Sequence, residues 1–398
     1  MILREKIEQE IRERGPIPFS RYMEMCLYHP ELGYYSRQAE QFGKAGDFYT
    51  SSDVHAVFGR LLARQFEEMW RVLGSPEKIV LLEFGPGRGL FAQDVLHWSR
   101  KKFPEFFDAL HYALVESSPA LQQRLERTLS EYVEAGKAWL CPPDEDLGNY
   151  VSALRGNHSE EGGDVHADGK PTSVPVLIFA NEFFDALPFE VISSEGELRI
   201  DAYHGHFVET WAPASRQEVE FLDRYSIHPD QGERVEAPLI AQQYMSRITK
   251  AANRGFILLI DYGYTRDEQL AGRHRGTITA FRQHSVSADP YEAPGEQDIT
   301  AHVNFTALSA VAERNGMQVQ KLLTQSQFLM GIGETNQFAD AFEECRLPQE
   351  RAKVALQLKH LVTPAGMGES FHVLLASKGV DEAMVAKLAG MSFTKAQP

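Results

Sequence analysis

The feature that most constrains this chain is an alternation, beginning at residue 78, of short apolar runs with segments of helical period. KIVLLEF at 78–84, HYALVES at 111–117, VPVLIFANEFF at 174–184 and GFILLIDYG at 255–263 are each apolar nearly throughout, and helical patterns follow the first two. Runs that do not alternate suit strands buried on both faces, and strands interleaved with helices imply a parallel sheet covered by helices on both sides. Two further runs, MQVQKLLTQSQ at 317–327 and SFHVLLASKG at 370–379, flank a helical stretch from about 336 to 361. The expectation is an α/β, Rossmann-like sheet of seven strands, mostly parallel, with the last two forming an antiparallel edge.

Around this core, assigned to 75–263, the pattern changes. Leu3, Ile7 and Ile11 share one helical face, and Val54, Val57, Phe58, Leu61, Leu62, Phe66, Met69 and Trp70 share another, so residues 1–74 read as a helical cap. The Gly- and aromatic-rich stretch 33–52 between those helices has no helical period and reads as an ordered loop, able to act as a lid. Polar RGNHSEEGGDVHADGKPT at 155–172 and the mixed stretch 196–250 read as insertions into the core. Residues 264–310 form an added substrate-side lobe, and 311–398 complete the sheet.

The formal net charge of −16 disfavours nucleic acid, whose binding needs clustered Lys and Arg to neutralise phosphates; a basic protein partner suits it better. No stretch approaches the roughly 20 apolar residues of a membrane span, and the charged amphipathic start MILREKIEQEIRERG is unlike a signal peptide, so the expected location is cytoplasmic. Cys26, Cys141 and Cys345 are far apart, which suggests neither a disulfide framework nor a thiolate metal site. A homodimer is compatible with all of this.

Chemistry concentrates where strands end. In LLEFGPGRG, Glu83 precedes Gly85, Gly87 and Gly89 on a strand-to-helix turn whose backbone can approach a ligand closely. The third glycine comes two positions after the second, one short of the dinucleotide fingerprint, and Leu90 follows, which disfavours a diphosphate. S-adenosylmethionine (SAM) suits the pattern, with Glu83 orienting the methionyl ammonium. Glu116 ends the next strand, where a carboxylate can accept both hydroxyls of the adenosyl ribose. Ser117, Ser118 and Pro119 after it resemble a helix start.

Asn181, Glu182 and Asp185 end the third run in ANEFFDALP. Asn181 is assigned to the cofactor, and Glu182 and Asp185 to a cationic acceptor such as a guanidinium, which carboxylates pair and position. Asp261 and Tyr262 end the fourth run, while Asp47, Thr50 and Ser51 lie in the early loop, with Asp47 a catalytic and Thr50 a cofactor candidate. GxSxG, HExxH and GxxxxGK[ST] are all missing, so hydrolase and P-loop chemistry lose ground and no metal is expected.

FGKAGDFYTSS with FGR at 58–60, LLEFGPGRG, LVESSP, ANEFFDALP, LLIDYG, PGEQDITAHVNF and TQSQFL run in one order across most of the chain. In these blocks the sequence resembles the MidA family of SAM-dependent methyltransferases. The resemblance implies a class I methyltransferase sheet, SAM as cofactor and a protein substrate, because mitochondrial members dimethylate an arginine of a respiratory complex I subunit during assembly. Where that family commonly reads TSPE-I-S, this chain has TSSDVH, with Ser52, Asp53 and His55 in those places.

Overall fold

In the computed structural model, residues 2–36, 56–141, 174–282, 285–287 and 289–393 are described. Strand Ile79–Phe84 lies at the centre of the main sheet, parallel to Leu110–Val115 on one side and Val176–Asn181 on the other. Ala138–Cys141 extends the first side and Gly255–Tyr264 the second, all in parallel. Phe371–Lys378 then pairs antiparallel with Gly255–Tyr264.

The edge beyond it is two short pieces, Gln318–Val319 and Leu323–Thr324, each antiparallel to Phe371–Lys378 and therefore aligned with the parallel strands. The apolar run at 317–327 does not make one long strand because its end caps a helix. Thr324 accepts the Gln327 N–H while Gln327 bonds back to the Thr324 N–H, and helix Gln325–Glu334 starts there.

Helices cover both faces. Ala56–Val72, Leu90–Lys102 and Gln325–Glu334 bury Phe58, Phe66, Phe91, Trp98 and Phe328 on one side, and Phe91 stacks on strand residue Phe179 at 4.5 Å between ring centroids. Leu239–Ala251 and Phe305–Arg314 bury Met245, Ile248, Phe305 and Leu308 on the other. Pattern alone groups the first of these with the 196–250 insertion and splits the second between the 264–310 lobe and the segment that completes the sheet. No helix among the described residues is long and apolar enough to cross a membrane.

Both helices expected before residue 75 are present, but they serve different layers. Leu3–Arg14 packs with an antiparallel sheet built from Ile17–Pro18, Glu190–Ser193, Gly196–Tyr203, His206–Ala212 and Arg234–Ala237, whereas Ala56–Val72 covers the central sheet. A further helix, Phe19–Tyr28, joins the first. It buries Phe19, Tyr22, Met23, Met25, Cys26 and Leu27 and leaves Ser20, Arg21 and Glu24 on its open face. Within 264–310, Thr279–Arg282 pairs with Ser285–Ser287 and Asp298–Thr300, and this small sheet lies beside helix Phe19–Tyr28. The insertion at 155–172 lies outside the described residues.

Candidate active site

The strands on either side of Ile79–Phe84 are reached by crossovers in opposite directions, so a crevice opens at their carboxyl ends. A cavity of about 530 Å³ fills it, a size ordinary for a small-molecule site. Gly85, Gly87, Glu116, Asn181, Glu182 and Asp185 all line it, brought together from three strand ends. Tyr28 and Tyr35, from the N-terminal segment, and Asp298, Thr300 and His302, from the 264–310 lobe, close the far side.

The glycine turn has positive φ at Gly85 (64°), Gly87 (54°) and Gly89 (77°), a conformation side chains rarely adopt. The three have different surroundings. A Cβ on Gly85 would lie 2.9 Å from Phe183 Cδ2, one on Gly89 2.7 Å from Leu125 Cδ2, and one on Gly87 would meet nothing within 4 Å. Gly87 thus bares backbone to the cavity, while Gly89 lets helix pack on helix.

Gly89 and Glu83 do not line the cavity. Glu83 is buried behind the turn and accepts the Tyr112 hydroxyl at 2.8 Å, and burial pushes its carboxyl up to about 8. The Tyr112 bond thus fixes the Glu83 carboxyl directly beneath the glycine turn.

Glu116 is held by backbone. It accepts the N–H of Ser118 at 2.8 Å, with further bonds from Ser117 and Gly87, yet burial still raises it to about 7. Ser118 caps helix Pro119–Thr128 through the Leu121 N–H, as the sequence suggested, and its hydroxyl donates to the Tyr35 carbonyl at 2.6 Å. The Tyr35 hydroxyl in turn donates to Asp298 Oδ1 at 2.7 Å, so Tyr35 bridges the crevice.

At the third strand end, Glu182 takes the strained φ of 51° and its N–H donates to the Ile260 carbonyl at 3.0 Å. Asn181 Nδ2 donates to Glu182 Oε1 at 3.0 Å, leaving Asn181 Oδ1 buried without a partner. Asp185 Oδ1 is likewise buried and unpartnered, and burial raises Asp185 to about 6 against a hydrogen bond from Tyr262. Asp261 organises this turn from below. Its Oδ2 accepts the N–H groups of Phe183, Phe184 and Asp185, and its Oδ1 that of Tyr262. Asp47 and Thr50 lie outside the described residues.

Asp298, Thr300 and His302 were not singled out from the sequence, although DITAH places them at i, i+2 and i+4. That is the spacing by which a strand presents one face. Tyr28 and Tyr35 carried no local signal, because only the fold brings residues 28–35 across to the Asp185 turn, where the Tyr28 hydroxyl bonds the Ala186 carbonyl at 2.9 Å.

SAM presents an ammonium, a carboxylate, two ribose hydroxyls and an adenine. The cavity offers the bare Gly87 backbone, the Glu116 carboxylate at a strand end, apolar Val115, Leu90 and Leu121, and the unpaired Asn181 oxygen. These residues fit such a ligand.

The comparisons agree with that fit. Residues 61–323 match a family described as "Putative S-adenosyl-L-methionine-dependent methyltransferase". The zebrafish (Danio rerio) mitochondrial protein arginine methyltransferase NDUFAF7 is 30% identical over 92% of this chain and 84% of its own. A Drosophila melanogaster mitochondrial homologue bearing the same name is 27% identical over 98% and 88%. The crystal structure of a Burkholderia thailandensis protein bound to S-adenosyl-homocysteine superposes with a TM-score of 0.78 at 27% identity, covering 98% of this chain and 94% of that one. The fold, the crevice and these matches lead to one conclusion: the chain belongs to the S-adenosyl-L-methionine-dependent methyltransferase family.

Proposed function

We propose that this enzyme methylates an arginine guanidinium of a protein substrate, with Glu116, Asn181 and the glycine turn holding the cofactor and Asp185 and Glu182 holding the acceptor. The observation that carries the reading is the buried, unpartnered Asp185 Oδ1 in a cavity that Glu182 and Asp298 also line. A buried carboxylate oxygen without a donor calls for a donor-rich cation, and a guanidinium has five N–H groups in a planar fork. The relatives' names give the same acceptor.

Bound SAM supplies an electrophilic methyl group. Burial raises the Asp185 carboxyl, and the positive charge of a bound guanidinium draws it back to the ionised form, which accepts the guanidinium N–H bonds. It draws positive charge toward its own side of the fork, aligns the opposite nitrogen with the methyl, and takes a proton as that nitrogen is alkylated. Glu182, held by Asn181 and by its strained backbone, fixes the second edge of the fork. Phe183, Tyr262 and Phe371 exclude water, which strengthens these charge interactions. Glu83 and Gly89 support the turn, and Asp47 and Thr50 stay within the proposal on the sequence alone. A complex I type subunit as substrate belongs to the same reading, resting on the MidA resemblance.

The test is incubation with methyl-labelled SAM and a heat-treated lysate, followed by hydrolysis to amino acids. Label in methylarginine, lost with Asp185→Asn, supports the reading. Label confined to small metabolites makes the enzyme a small-molecule methyltransferase, and no label with a saturably bound cofactor makes it a noncatalytic assembly chaperone.

A further inference from the structure

His302 lies on the cavity wall, and its Nδ1 is 3.1 Å from the Nδ1 of His274, which does not line the cavity. Two neutral imidazole nitrogens at that distance hold one proton between them, with one ring donating and the other accepting. The pairing is held from both sides. His302 meets Tyr262 edge-on at 5.3 Å, and the Tyr262 hydroxyl bonds Asp185. His274 stacks on Tyr264 at 5.1 Å with 13° between planes, and its backbone takes the left-handed φ of 55°. Strain of that kind persists only where surrounding structure imposes it.

Methyl transfer to a guanidinium nitrogen forms one N–C bond and breaks one S–C bond, whose electron pair stays on sulfur. The nitrogen that gains the methyl gives up one proton. Asp185 can receive it, but a second turnover requires that the proton leave a crevice lined with aromatic side chains.

We propose that His302 and His274 form a two-imidazole wire that carries this proton out of the cavity. His302 takes a proton at Nε2 while its Nδ1 proton passes to His274 Nδ1, and His274 releases one from Nε2 to solvent. The proposal rests on the guanidinium reading, since the acceptor must release a proton.

The surrounding charges set the direction. Burial, His274 and His372 hold His302 down to about 4. On His274, burial and Arg273 lower the ring and Glu268 raises it, and Tyr262 and Tyr264 are the other titratable groups packed on the pair. A proton given to the pair therefore settles on the outer ring.

The first test needs no substrate. NMR of the full chain with ring-15N histidine is expected to show one protonated and one bare Nδ1, coupled through the N–H···N bond, and the coupling should vanish in His274→Gln. Two protonated or two bare Nδ1 atoms would overturn the wire. In the labelled-transfer assay, His302→Gln and His274→Gln should each slow transfer on the order of a hundredfold at pH 7 with cofactor affinity unchanged. Added imidazole or a higher pH should restore it. Wild-type rates in both folded variants, or a loss that neither imidazole nor alkali restores, overturn the proposal. If wild-type protein labels no arginine, the acceptor reading fails and the wire loses its proton source, while the NMR result still decides whether the two rings share a proton.

Discussion

The Asp261 carboxylate accepts the Phe184 backbone N–H at 3.0 Å, and the same oxygen accepts those of Phe183 and Asp185 at 3.2 and 3.4 Å. One buried oxygen thus shapes the turn that presents the acceptor acids. Asp261→Ala leaves four N–H groups without that partner, those of Phe184 and Asp185 buried, and we expect a loss of roughly 2–3 kcal/mol in urea unfolding. Transfer should fall with it, because Asp185 loses its fixed position. An unchanged urea midpoint would show that the turn holds itself.

The glycine turn predicts two different failures. Gly85→Ala places a Cβ against the Phe183 ring at positive φ, so the protein should lose about 1–2 kcal/mol of stability, read by thermal unfolding. Gly87→Ala meets nothing in the protein and should fold with the smaller penalty, but its methyl enters the cavity and should weaken SAM binding more than it weakens the fold.

Glu83 gives a prediction about pH. Its folded-state carboxyl titrates at about 8, above its unfolded value. The folded state therefore holds a proton that the unfolded chain has released between those values. The stability contributed is full below the unfolded pKa and is lost as pH rises toward 8. In denaturant titrations from pH 5 to pH 8, the wild type should lose stability more steeply than Glu83→Gln. Parallel curves would mean that Glu83 is not protonated in the folded protein.

Much of this architecture was legible in the sequence because the signals were local. Uninterrupted apolar runs marked the buried parallel strands, and Gly85–Gly89 marked the turn. Strand ends identified Glu116, Asn181, Glu182 and Asp185, which the fold brings to one cavity. What escaped was non-local. Tyr35 reaches Asp298 across 263 positions of sequence, and the Tyr28 hydroxyl reaches the Ala186 carbonyl across 158. The bond between Glu83 and the Tyr112 hydroxyl is non-local too, joining two neighbouring strands beneath the glycine turn.

Glu116 ties binding to pH. Burial raises it to about 7, and the ionised form is the better acceptor for two ribose hydroxyls. SAM affinity should fall about tenfold per unit as pH drops below 7 and level off above it, with proton release on binding near neutrality. An affinity flat from pH 5.5 to 8.5 would show that Glu116 binds in either state.

The proposed SAM site is this cavity, with Glu116 on the ribose. Calorimetric titration of the full chain with SAM at pH 8, wild type against Glu116→Ala, tests this most directly. Saturable binding by the wild type, weakened at least about tenfold in a folded variant, is the predicted result. Equal affinity in the two proteins, or no binding by folded wild type, would contradict it.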